Sequence, residues 1–355
     1  MIAHHYTVNS GLMEVCYEHP LSVRSLYYFI FGAWGKTGIN CFVIITGYFM
    51  CERELLGNGE RLRGFFLKWI RLFSEMMFYR ILFQCLFWIS GYEPVTVTGL
   101  IKMAVPWRSI EQNFTGCFLT FYMFIPFLIL FVRQLTELQH RTLVFLSLFM
   151  YTLFGTLPGL SVSMNYVSWY MVLFLIGSYA RLRPMKPFWK KKDGTSHNIW
   201  DDRRLWGTVS AISIGLQVLS IIAMAWLGVV LNRRQGAHYF VSDCNSLLCL
   251  TTGTATFLFF KNLKIPYNPL INRIAASTFG VLLIHANSDT MRQFLWKDIF
   301  HNAERYSMGG SYWWLYPIIV VVFVFASATL VDMARIRFLE EPWMKRIENL
   351  AKRKA

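Results

Sequence analysis

Residues 314–331 read WLYPIIVVVFVFASATLV, a run without a single charge. As a helix it would be about 27 Å long, at about 1.5 Å per residue. A bilayer's hydrocarbon core is about 30 Å thick, so this run reads as a membrane span. Residues 121–132, FYMFIPFLILFV, are of the same kind. Across all 355 residues 55% are hydrophobic and 15% charged, a balance foreign to soluble domains. The apolar runs are continuous, where a transmembrane β-barrel would alternate. The fold class is therefore all-α, a polytopic helical membrane protein.

Nine spans are expected, at about 36–52, 67–90, 116–132, 142–157, 166–181, 206–230, 245–260, 274–290 and 313–332. Residues 21–33 are apolar but short, and are expected along the interface. No repeat and no Gly/Ser-rich or Pro-rich linker divides the chain, so residues 1–355 read as a single membrane domain.

The net charge is +15. One set of alternate connections holds most of the 35 lysines and arginines: the stretch 53–71, Arg133, Arg141, the cluster 181–204 with Lys186, Lys190, Lys191 and Lys192, then 261–273, and the tail to Lys354. The other set holds few, among them Lys36, Arg108, Arg233 and Arg292. The positive-inside rule puts the first set in the cytoplasm, with residues 333–355 as a basic cytoplasmic tail. Topology and anionic headgroups account for the charge, and nucleic acid is not needed. The opening MIAHHY, residues 1–6, then reads as the last turns of a span; residues 1–8 are its remnant, and ten spans are expected with it complete, the alternative being a nine-span chain with an exported start.

Polar groups within or beside spans are the candidate functional residues. Adjacent His4 and His5 would point about 100° apart on a helix. Lys36 and Asn40 share a helix face, as a cavity wall or as an interfacial lysine with a helix–helix amide contact. Lys68 and Arg71 are i, i+3 neighbours that suit a phosphate or anchor the helix. Arg80 lies deeper and needs a partner; Glu75 is a distant candidate. His285, Asn287, Asp289 and Arg292 cluster at a span end. Asp332 and Arg335 are placed to pair with each other. His140, His197, His238 and His301 fall in polar loops and read as solvated. The seven cysteines form no C-x-x-C pair and read as buried small hydrophobes. No metal-binding, Walker or G-x-S-x-G motif is present, and no metal is expected.

Several stretches together resemble the acyltransferase 3 family of integral-membrane O-acyltransferases, nearest to its bacterial surface-polysaccharide branch. They are GKTGINCFVIITGYFM, FLKWIRLF, FLTFYMFIPFL, SWYMVLFLIGSYARL and STFGVLLIHAN followed by FLW. Each is weak alone; their joint order spans nearly the whole chain. The family signature is an Arg with ten residues between it and a His. His5 falls at that His and His4 just before it, while the Arg position would precede Met1. The family's acidic residue is Asn40 here, its Trp is Cys117 with Tyr122 kept, and its His-Asp-Asn is His285-Ala286-Asn287.

The resemblance implies transfer of an acyl group, most often acetyl, from cytoplasmic acyl-CoA to a hydroxyl of a surface polysaccharide or lipid-linked sugar. CoA is the donor substrate, and no permanently bound cofactor is implied. His5, with His4, is expected to be catalytic. Lys68, Arg71 and Arg80 are expected to hold the donor, and Lys36, Asn40, His285 and Asn287 to line the acceptor side. The implied location is the bacterial inner membrane, multi-pass. A flippase or transporter of lipid-linked glycan would share the spans and basic face, but often has two related halves. A polymerase would carry a large outer loop.

Overall fold

The computed structural model describes residues 1–104, 114–160, 162–185, 198–308 and 310–353. Arg108, Lys186, Lys190, Lys191, Lys192, His197 and Lys354 lie outside the described residues. All regular structure among the described residues is helical. The helices used below are α1 (Ile2–Val8), α2 (Val23–Gly32), α3 (Gly35–Met50), α4 (Gly59–Ile89), α5 (Phe114–Gln134), α6 (Tyr166–Leu182), α7 (Arg203–Val230), α8 (Leu247–Lys261), α9 (Thr278–His285), α10 (Asp289–Arg292), α11 (Asn302–Ser307), α12 (Leu315–Arg335) and α13 (Glu341–Arg353).

Among the described residues five helices are long and apolar enough to cross a membrane: Val23–Met50, Gly59–Ile89, Phe114–Gln134, Arg203–Val230 and Leu315–Ile347. A sixth arises if Pro269–His285 and Asp289–Ser307, bent by 91°, count as one. The expected nine exceed this because apolar character and spanning length part company. The run at 142–157 is broken by a π-helical turn at Phe149–Leu153. The runs at 166–181 and 245–260 form helices of 17 and 15 residues. Residues 21–33, expected along the interface, are instead the first part of the span Val23–Met50.

The chain packs as two compact units that interleave in sequence. The first comprises Met1–Val15, Gly64–Ile110 and Pro266–Ala355; the second comprises Cys16–Arg63 and Glu111–Ile265. In the first unit α12 packs on α1 and α9. Gly280 makes the α9 contact feasible: a Cβ there would lie 2.1 Å from Asp332 Oδ1.

In the second unit α3 packs on α6 and α8, and α7 on α8. Gly47 and Gly177 let α3 and α6 cross backbone to backbone, as small residues do in membrane helix pairs. A Cβ on Gly47 would come within 2.7 Å of Phe174 O, and one on Gly177 within 2.5 Å of Ile44 O. Buried Gln217 of α7 uses its amide nitrogen on Thr37 Oγ1 (3.2 Å), Leu248 O (2.9 Å) and Thr252 Oγ1 (2.9 Å), tying α3, α7 and α8 together.

Candidate active site

His5 sits near the middle of α1, half-buried. Its Nδ1 lies 3.0 Å from Nε2 of His285, a buried residue 280 positions away. His285 closes α9, and its ring folds back so that Nδ1 lies 2.5 Å from Val281 O. That contact fixes the protons. A carbonyl only accepts, so His285 Nδ1 carries hydrogen and, in the neutral ring, Nε2 offers a lone pair. His5 Nδ1–H therefore donates to His285 Nε2, and the lone pair of His5 is left on Nε2. Among the described residues that Nε2 has no protein partner. The pair is thus an oriented base with a free accepting nitrogen.

Two aromatic side chains wall the pair. Fully buried Trp296 stands edge-on to His285 (ring centroids 6.2 Å) and to Tyr6 (6.0 Å). Buried Asn302 of α11 donates to Tyr6 O at 2.9 Å, occupying a carbonyl that the short α1 leaves without a helical partner. His4 keeps its ring centroid 5.6 Å from that of His5. Directly after His285 the chain breaks. Asn287 donates to Leu283 O at 3.2 Å, closing the end of α9, and Ser288 accepts from Met291 N to start α10. Irregular backbone between apolar helices is tolerated where it is enclosed by protein or lines a cavity.

Asp332 and Arg335 pair as the sequence predicts, at 2.8 Å, and prove to be the centre of a larger buried network. Arg335 also reaches Glu75 (3.0 Å) and Glu340 (2.5 Å). Tyr79 donates to Asp332 Oδ1 at 2.8 Å, and Arg71 pairs with the other oxygen of Glu340. Glu75, weighed above as a partner for Arg80, thus serves Arg335. Arg71 is half exposed and already holds a carboxylate, so any phosphate it takes is shared with Glu340. Lys68 is exposed one turn before it on α4, and Arg80 is half-buried about 13 Å further along. Asp332 rests on Gly280, five residues before His285, so the network lies about 7–8 Å along α9 from the histidine pair.

Lys36 and Asn40 belong to the second unit, so the four residues expected on the acceptor side divide between the units. Asn40 is fully buried and engaged at both ends: Nδ2 donates to Cys244 O (2.6 Å) and Oδ1 accepts from Trp169 Nε1 (2.9 Å). The amide joins α3 to Trp169 of α6 and to the turn that holds Cys244. Lys36 Nζ donates to Tyr166 Oη at 2.6 Å.

Two histidines read as solvated are not. His140 is buried, its Nε2 3.1 Å from Leu175 O, because α6 covers it. His238 packs edge-on to Phe29 and bonds Phe29 O at 2.7 Å; burial holds its pKa below the ordinary 6.5. His301 is exposed, beside Glu304.

A family model described as an acyltransferase domain matches residues 1–332. The chain belongs to the acyltransferase 3 family. Comparison with curated proteins and with solved structures finds no match. Family membership carries acyl transfer as the general chemistry, and the resemblance drawn from the motifs holds at that level. In this acyltransferase, sequence reasoning missed Trp296, Asn302, Glu340 and Tyr79. A buried aromatic or amide leaves no local signature when its partner lies hundreds of residues away.

Proposed function

We propose that this chain transfers an acyl group, acetyl in the first instance, from acyl-CoA to a hydroxyl of a surface polysaccharide or lipid-linked sugar at a bacterial inner membrane. The observation that carries the reading is the His5–His285 pair with its unshared Nε2. A sugar hydroxyl is a poor nucleophile near neutral pH, and an oriented imidazole is the usual remedy. His5 Nε2 takes the hydroxyl proton as the oxygen attacks the thioester carbon. The C–S bond then breaks, and His5 returns the proton to sulfur. Ester and free CoA thiol result, with atoms and charge balanced.

His285 is a positioning residue on this reading, in place of the acceptor-lining role the motif suggested, and Asn287 caps its helix. Lys68 and Arg71, in the same unit as His5, suit the phosphates of CoA, with Arg80 deeper on the same helix. The basic ends of the helices set the cytoplasmic side, from which CoA arrives and on which the C-terminus lies.

The test supplies radiolabelled acetyl-CoA to membranes containing the full chain and its glycan acceptor, with His5→Ala beside wild type. Label is expected in glycan or lipid-linked sugar only with wild type. Should label never arrive while flipping of lipid-linked glycan depends on the protein, the transporter reading replaces this one.

A further inference from the structure

The second unit holds a group of hydrogen-bond donors with more hydrogens than protein acceptors among the described residues. Lys36 lies in the first turn of α3, and its ammonium donates to Tyr166 Oη at 2.6 Å, 5.3 Å from the ring centroid. That bond uses one of three ammonium hydrogens. The Tyr166 hydroxyl accepts it, and its own proton meets no protein acceptor among the described residues. One turn along α6, Tyr170 is 0% exposed, its ring 5.8 Å from that of Tyr166 and its hydroxyl without a partner. No side chain caps the start of α3.

A half-buried ammonium beside apolar helices calls for a counter-charge. Asp243 is within electrostatic reach, but it is exposed, accepts from Ser242 Oγ at 3.1 Å and forms no ion pair with Lys36. The nearest carbonyl oxygens, Asn40 Oδ1 and Cys244 O, already accept from Trp169 and Asn40, and neither carries a charge. What would complete the group is negatively charged oxygen.

Lys36 and Tyr166 begin α3 and α6. The opposite ends of α3, α6 and α8 carry Arg181 with Glu52 (2.6 Å) and Lys261 with Asp201 (2.6 Å), so the cations there already have carboxylates and Lys36 does not. We propose that Lys36, Tyr166 and Tyr170 form an oxyanion site that takes a phosphate or carboxylate. The proposal rests on this donor group and stands apart from the acyl-transfer reading.

The test uses the purified full chain in phosphatidylcholine nanodiscs, titrated by calorimetry with farnesyl diphosphate, methyl glucuronide and uncharged farnesol. One or both anions bind wild type and farnesol does not. Lys36→Gln weakens that binding by about tenfold or more, equivalent to about 1.4 kcal/mol. Lys36→Arg largely keeps it. Tyr170→Phe weakens it several-fold and reads the same site should Lys36→Gln not fold. Which anion binds identifies a lipid-carrier phosphate or an acidic sugar. The proposal is overturned if neither anion binds or if Lys36→Gln and Tyr170→Phe both bind as wild type. It also fails if phosphatidylglycerol added to the disc abolishes binding, since the ligand is then a membrane headgroup. His5→Ala separates the two readings: it leaves anion binding intact and ends transfer. Lys36-dependent binding without any transfer would keep the site and sink the transferase.

Discussion

Replacing His285 by alanine leaves the His5 ring in place but removes the acceptor of its Nδ1–H, 3.0 Å away. Leaving a buried donor unsatisfied costs about 1–3 kcal/mol. If that cost falls on the oriented ring in the transition state, kcat drops by roughly 5- to 150-fold, at about 1.4 kcal/mol per decade. His5→Ala removes the proposed base itself, and the loss should reach about 10²–10⁴-fold. The two residues act as one unit, so the double variant should be no slower than His5→Ala alone. His285→Gln keeps an acceptor oxygen and should recover part of the loss. The assay is initial-rate transfer from labelled acetyl-CoA, with kcat separated from KM. The relay is refuted if His285→Ala acts only on KM, or if the losses of the two single variants multiply in the double.

Three further outcomes follow from the same contacts. Arg335→Ala strips the buried network of its central cation, leaving Glu340 with Arg71 and depriving Glu75 and Asp332 of their arginine; a loss of about 3–5 kcal/mol is expected in detergent unfolding, and Arg335→Lys should be milder. Gly280→Ala would place a methyl 2.1 Å from Asp332 Oδ1, which Tyr79 and Arg335 pin in place, so the protein should unfold earlier; Gly215→Ala, with nothing within 4 Å, should be neutral or gain about 0.5–1 kcal/mol. His238 has its pKa lowered by burial from about 6.5, so as pH falls through 6.5 the unfolded chain takes the proton first. Stability is then full above about pH 6.5 and falls as pH drops toward the folded pKa. Thermal midpoints at pH 7.5 and 5.5 should differ more for wild type than for His238→Gln.

The helical membrane class was legible in the apolar runs, because a span must satisfy its backbone internally. The number of spanning helices was not, since burial within protein demands the same apolar residues as exposure to lipid. The run at 245–260 is the example: α8 is apolar, short and largely enclosed by α3 and α7. The Asp332–Arg335 pair was legible because three residues on a helix set a distance. The additions of Glu75 and Glu340 were not, one arriving from another helix and the other through a π-helical turn at Ile336–Glu340. His5 was picked out by its motif, but its bond to His285 depends on a chain closure that no local pattern encodes. For His140 the polar flanks suggested water, and the packing of α6 supplied Leu175 O instead.

The Val281 carbonyl gives the relay a terminus of a particular kind. An amide oxygen is too weak a base to be protonated near neutral pH, so a hydrogen ion entering at His5 meets a dead end two rings later. Its exit is the door by which it came. On the proposed mechanism a chain ending in a carboxylate could bank the charge; this one hands it back through the nitrogen that received it, so nucleophile activation and thiol departure fall to a single atom.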